Sequence, residues 1–158
     1  MAMQWDMVFT AVTLWAIMGW LLLLLAPRKP LALTAILYLG IALLCLAYTI
    51  LLALLVLGRV GGGLPGGADF TSITGVQALF AVPAGAVLGW VHYLAFDLFV
   101  GLWIARDADA KGIGRLVQLP ALLLSFLVGP VGLLLWLAMR EKSARAQARR
   151  NAVTEALR

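Results

Sequence analysis

Residues 89–101 read Gly-Trp-Val-His-Tyr-Leu-Ala-Phe-Asp-Leu-Phe-Val-Gly, and this apolar run contains His92, the one histidine of the chain, together with Asp97. Apart from Asp97, the 12 basic and 7 acidic residues lie outside the four long apolar segments. An aspartate at the centre of a membrane helix costs roughly 2.5 to 3.5 kcal/mol on insertion scales. Asp97 therefore indicates either a buried partner or a function.

The composition around this run is that of a membrane protein. Hydrophobic residues make up 64% of the 158 residues, charged residues make up 12%, and the mean hydropathy is +1.03. So few charges cannot cover the surface of a soluble protein. Each apolar segment reaches the roughly 20 residues that a helix needs to cross about 30 Å of hydrocarbon. We predict an all-α fold in a single membrane domain, a four-helix transmembrane bundle with spans at residues 7–25, 31–57, 83–104 and 116–139.

Two local signals refine the first half of the chain. Residues 1–6 lack the basic start of a secretory signal, so the first span is predicted to be retained. Pro83 interrupts an apolar region that is too long for one span. We therefore predict a short interfacial helix at 72–80, followed by the third span.

The fourth span and the tail carry signals of bending and of charge. Gly129 and Pro130 are predicted to bend the span so that it packs over the third. The basic tail, 140–158, is predicted to extend it as a helix at anionic lipid headgroups. The tail lacks aromatic residues that stack on bases, so no nucleic acid is expected as a partner. With both termini inside, seven cations face the cytoplasm and five face away, which leaves the orientation open.

Small and polar residues recur every four positions along the third span. Residues at that spacing lie on one face of a helix, and the row consists of Gly85, Gly89, Tyr93, Asp97 and Gly101. The glycines permit the close approach of another helix, from this chain or from a membrane partner. Tyr93 and Asp97 lie one turn apart, so the phenol can reach the carboxylate.

An imidazole and three aromatic rings form a second row, which consists of His92, Phe96, Phe99 and Trp103. The pattern favours an acid/base pair, His92 and Asp97, beside an aromatic slot for a long apolar ligand. Both groups are expected to be enclosed by the other helices at mid-bilayer depth. The alternative is structural, with Asp97 accepting a hydrogen bond that fixes helix packing.

Metal and cofactor sites find little support in the residue types. One histidine and a lone Cys45 are too few ligands for zinc or a di-iron centre. A haem held by His92 and a methionine, Met18 or Met139, is formally available, but neither methionine is placed at the depth of His92. No metal and no cofactor are predicted.

The third and fourth spans resemble the abscisic-acid-deficient-four-like membrane proteins, whose plant members are associated with neoxanthin synthesis. The resemblance rests on the run 89–101, then on Trp103-Ile104, Asp107, Leu119-Pro120 and Gly129-Pro130-Val131-Gly132-Leu133-Leu134. It covers roughly residues 70–136, whereas the first two spans match in general character alone.

The resemblance implies a four-helix membrane protein that binds a carotenoid or related isoprenoid lipid. If the protein is an enzyme, it would isomerise that lipid. In the plant reaction an epoxide of violaxanthin opens while the polyene loses a proton, which gives an allene without net redox change. The implied roles, which are exchangeable, are Asp97 as the epoxide-protonating acid and His92 as the base. Tyr93 would orient Asp97. The residues implied to line the polyene are Trp90, Phe96, Phe99 and Trp103.

Two further functions stay open at this point. One is a non-catalytic scaffold or assembly subunit that uses the Gly85 and Gly89 face to bind a membrane protein or a second copy of the chain. The other is a small proton-coupled transporter that uses Asp97. Because span one follows residues 1–6 directly, with no visible plastid transit peptide, we expect a multi-pass protein of a bacterial inner membrane.

Overall fold

The computed structural model describes the backbone of residues 4–156 and the side chains of residues 4–142 and 145. Within these residues the chain is helical and has no strand, which confirms the all-α prediction. The elements are α1 (Trp5–Leu25), α2 (Pro30–Ala35), a π-helical segment (Ile36–Ala42), α3 (Leu43–Val56), α4 (Ile73–Phe80), α5 (Pro83–Ala110), α6 (Arg115–Val128) and α7 (Pro130–Ala156).

Three helices are long and apolar enough to cross a membrane, where the sequence predicted four. They are α1, the continuous helix Pro30–Val56 that joins α2, the π-helical segment and α3, and α5. The predicted fourth span, 116–139, is interrupted at Gly129, so that α6 has 14 residues and α7 starts at Pro130. Each piece is helical, but the single continuous crossing is not observed. The helix predicted at 72–80 is present as α4.

Contacts divide the chain into two compact units, Met1–Phe96 and Asp97–Arg158. In the first unit, the π-helical segment lies against α1. Hydrogen bonds in a π-helical turn run between residues five apart, which changes the pairing of the backbone carbonyls. The carbonyl of Leu39 accepts a hydrogen bond from Trp15 Nε1 at 2.7 Å. This polar contact joins two otherwise apolar helices.

The short helix α4 seats against the beginning of α5, also in the first unit. Ser72 caps α4, because its hydroxyl accepts a hydrogen bond from the Gly75 N–H at 3.0 Å. A Cβ added at Gly85 would overlap the carbonyl oxygen of Leu79, and one added at Gly89 would overlap the ring of Phe80. The end of α4 thus packs against Gly85 and Gly89 of the third span.

In the second unit, α6 and α7 fold back on each other as a helical hairpin. The turn is made at Gly129, whose φ of +30° is a value that L side chains rarely adopt. A Cβ added at Gly132 would overlap the backbone nitrogen of Ser125 and approach the carbonyl oxygen of Ala121. Gly129 and Pro130 therefore reverse the chain, where the sequence predicted only a bend.

Replacing Gly132 by alanine is expected to destabilise the hairpin, since backbone atoms of α6 fill the space that a methyl group needs. Overpacking costs about 1 to 3 kcal/mol, which exceeds the ~1 kcal/mol that alanine gains in helix propensity. Thermal unfolding in detergent should show a midpoint several degrees lower. The control is Gly66→Ala, where an added Cβ meets open space. Equal midpoints for both variants would contradict the close approach.

Candidate functional site

A cleft of about 330 Å³ opens beside His92 in the first unit. Its walls combine aromatic rings with aliphatic side chains, and the two glycines that seat α4 form part of it. The lining residues are Tyr48, Phe70, Leu79, Phe80, Gly85, Leu88, Gly89 and His92. The imidazole and the Tyr48 hydroxyl are the ionisable groups of this lining, so the cleft can hold an apolar ligand next to proton-transfer groups.

The imidazole of His92 is held between two aromatic rings. It stacks on Phe96 with ring centroids 4.6 Å apart, and the Tyr48 ring lies 5.6 Å away at a tilt of 55°. His92 is nevertheless exposed. The prediction that other helices enclose it is therefore wrong, and its neighbour Phe96 is also exposed, at 57%.

Asp97 lies in the second unit and is buried, at 8% exposure. Its carboxylate abuts Gly129, where any added Cβ would overlap the carboxylate oxygen. α7 begins at the next residue, Pro130, and a helix N-terminus carries partial positive charge. The burial expected for Asp97 is confirmed, and its surroundings are those of a turn between two helices.

The other residues predicted to line a ligand slot, Trp90, Phe99 and Trp103, do not line this cleft. Trp90 Nε1 donates a hydrogen bond to Thr13 Oγ1 at 2.8 Å, and its ring stacks on Phe9 and on Tyr93 with centroids 5.2 Å and 5.3 Å apart. Trp90 thereby ties α1 to α5. In the second unit, Phe99 is 49% exposed, and Trp103 carries the Arg140 guanidinium 5.4 Å from its ring centroid.

The rings that do line the cleft were missed in the sequence. Tyr48 lies within an unbroken apolar span, Phe70 precedes α4, and Phe80 is its last residue. The spacing of residues along the third span does not show which aromatic side chains of other helices pack against that span. A proline-flanked short helix followed by glycines at spacing four was the available signal, since glycines at that spacing mark a close approach.

Asp69 fixes the start of α4 and with it Phe70 at the rim of the cleft. The Thr71 N–H, which donates to Asp69 Oδ1 at 2.7 Å, holds the pKa of this carboxyl below its ordinary value of 3.8, and the Thr71 hydroxyl and the Ser72 N–H add to the effect. A lowered pKa stabilises the folded loop above the ordinary pKa. That contribution is lost as the pH falls through the lowered value.

At the far end of α5, Asp107 gathers three donors. Lys111 Nζ lies 2.6 Å from Oδ1, Trp136 Nε1 donates to Oδ2 at 3.0 Å, and Arg140 Nη2 donates to Oδ1 at 3.2 Å. The Asp107 side chain is only 12% exposed. This cluster ties α7 to α5. Among the described residues, no three His, Cys, Asp or Glu side chains group so as to hold a metal ion.

Residues 7–136 match the family model described as ABA DEFICIENT 4-like, which is well over half of the chain. The chain belongs to the ABA DEFICIENT 4-like family. The match includes the first two spans, beyond the region that carried the resemblance in the sequence. Together with the three apolar helices, it supports a membrane protein. The family is associated with plants, so the predicted bacterial inner membrane gains no support. No curated protein and no solved structure matches the chain.

Replacing Asp107 by asparagine is expected to loosen α7 from α5, because Lys111 and Arg140 lose the charge that they share. Leaving such partly buried donors poorly satisfied costs about 1 to 3 kcal/mol. Thermal unfolding in detergent should show the loss, and the loss should shrink as salt concentration rises. The control Asp109→Asn changes an exposed carboxylate on the same helix. An equal effect at Asp109 would contradict the assignment.

Proposed function

We propose that this membrane protein binds an elongated isoprenoid lipid of the carotenoid type, with one end of the ligand in the His92 cleft. The observation that carries the proposal is the combination of three aromatic rings and an imidazole around an apolar cleft on a membrane helix. The ring faces of Tyr48, Phe70 and Phe80 suit a conjugated chain or a ring end group. Membership of the family supports the ligand class.

The size of the cleft fits part of such a ligand. Its volume of about 330 Å³ lies at the lower end of small-molecule sites. An end group would occupy the cleft, and the remaining chain would run along the lipid-facing surface. Phe96 stacks on His92 and is exposed, so it extends the aromatic surface beyond the cleft. The long axis of the ligand would then lie within the bilayer.

The chemistry proposed for the cleft is isomerisation of an epoxide to an allene. The epoxide C–O bond breaks as its oxygen gains a proton, and a polyene carbon loses a proton while its C–H electron pair forms the new double bond. His92 takes that proton as the base. Tyr48, whose ring lies 5.6 Å from the imidazole, is the acid on the cleft. Asp97, the acid that the sequence suggested, is buried against Gly129 and is the competing assignment.

Replacing Phe80 by alanine is expected to weaken polyene binding about tenfold, because an aromatic contact worth about 1 to 1.5 kcal/mol is lost. The measurement is the amount of a carotenoid retained by the purified protein, read from absorbance per mole of protein. The matched control is Phe99→Ala, an exposed phenylalanine of α5 that does not line the cleft. Retention that falls with Phe99 but not with Phe80 would move the ligand to the row predicted from sequence.

His92→Ala and Tyr48→Phe are each expected to lower conversion of an epoxy-carotenoid at least 100-fold, as for the loss of a general base or acid. Pigment extracts separated by chromatography report epoxide and allene. Asp97→Asn should keep most of the conversion in protein that retains its thermal stability. If Asp97→Asn abolishes conversion and Tyr48→Phe does not, the acid is Asp97. Full conversion by His92→Ala would remove the catalytic proposal, while polyene retention still tests binding.

The structure weighs against one feature of the scaffold alternative. The Gly85 and Gly89 face that a partner helix would use is occupied by Leu79 and Phe80 of the same chain. A scaffold would have to bind through another surface. No contact in the described residues favours the transporter alternative over lipid binding.

A further inference from the structure

We propose that α6 and α7 form a re-entrant hairpin, which enters and leaves the membrane on the same face and has its tip beside Asp97, near the middle of α5. This topology differs from the four-span bundle that the apolar pattern suggests. It also gives the buried carboxylate a defined place in the fold, independent of the lipid-binding proposal.

The lengths of the two helices fit a hairpin that reaches partway into the bilayer. α6 has 14 residues, which is about 21 Å of helix against about 30 Å of hydrocarbon. The apolar part of α7 ends before Arg140, so it is shorter still. Neither helix can cross alone, and the reversal at Gly129 prevents them from crossing as one rod.

Contacts within the second unit give the direction of each helix. At the tip, Gly129 abuts Asp97 of α5. Eleven residues later, Arg140 reaches Asp107, which lies ten residues after Asp97. α7 therefore runs beside α5 in the same direction, and α6 covers the same depth in the opposite direction. The hairpin starts and ends at the level of the Asp107 cluster.

The distribution of positive charge supports the same topology independently. With four full crossings, the cations divide seven to five between the two sides, which favours neither orientation. With three crossings and a re-entrant hairpin, eleven of the twelve Lys and Arg residues fall on one side and Arg59 falls on the other. Short loops rich in Lys and Arg stay on the cytoplasmic side of a membrane. With the hairpin, the distribution of Lys and Arg therefore predicts one orientation of the protein, in which the tail lies on the cytoplasmic side.

The tip also meets the requirements that the bilayer places on irregular backbone. A non-helical turn at membrane depth is tolerated where protein buries it. Asp97 is buried, and its carboxylate faces the N-terminal end of α7, where the helix dipole favours negative charge. Asp97 and the turn at Gly129 therefore stabilise each other.

Sidedness of cysteine labelling tests the proposal in the full-length protein. In a Cys45→Ala background, Gly114→Cys marks the loop before α6, and Lys142→Cys marks the polar part of α7, beyond Arg140. Arg59→Cys is the control on the loop before α4. A membrane-impermeant maleimide is applied to sealed vesicles of known orientation. We expect positions 114 and 142 to be labelled from the same side and position 59 from the other. Labelling of 114 and 142 from opposite sides would overturn the proposal in favour of four spans.

A depth measurement excludes a hairpin that lies flat on the surface. Val131 lies near the tip of the hairpin, Phe99 lies near Asp97, and both are exposed. Nitroxide labels at Val131→Cys and Phe99→Cys should report the same depth in the bilayer, measured from their accessibility to oxygen and nickel. A label at Leu116→Cys, at the base of α6, should be shallower. If Val131 is as shallow as Leu116, the hairpin does not enter the membrane and the proposal fails.

Discussion

Hydrocarbon offers no hydrophobic drive for one apolar helix to leave lipid for another, so close backbone packing has to hold this fold together. Each unit contains such an approach at a glycine. In the first unit, Gly85 admits the Leu79 carbonyl, and in the second, Gly132 admits the backbone of Ser125. Both approaches bring a short helix against a longer neighbour, and an added methyl group at either position would overlap backbone atoms of the short helix.

The two approaches have different consequences for the site. Seating α4 on α5 places Phe80 against Gly89, and the cleft beside His92 exists because two glycine positions carry no side chain there. Folding α7 onto α6 closes the surface around Asp97. One close approach therefore opens an accessible site, while the other buries the carboxyl group of Asp97.

Helical elements were predictable from the sequence because their signals are local. The apolar runs of α1 and of Pro30–Val56, and the break at Pro83, all follow from composition and proline chemistry. The reversal at Gly129 was not predictable in the same way, since Gly-Pro signals an interruption without its angle. For the candidate site, periodicity identified the rows of His92 and Asp97. It could not tell which row faces protein, because in a membrane helix both faces are apolar and the usual contrast between core and surface is lost.

Because core and surface are both apolar in a membrane helix, Asp97 and His92 have to be interpreted from their contacts. An intramembrane charge is a functional hypothesis by default when nothing structural accounts for it. For Asp97 the fold supplies such an account, because the start of α7 favours a nearby carboxylate and a turn at membrane depth needs protein around it. No comparable structural need exists for His92, whose imidazole contacts aromatic rings at an exposed edge. Because its contacts are with aromatic rings, which do not require a titratable ring, His92 is the stronger candidate for chemistry.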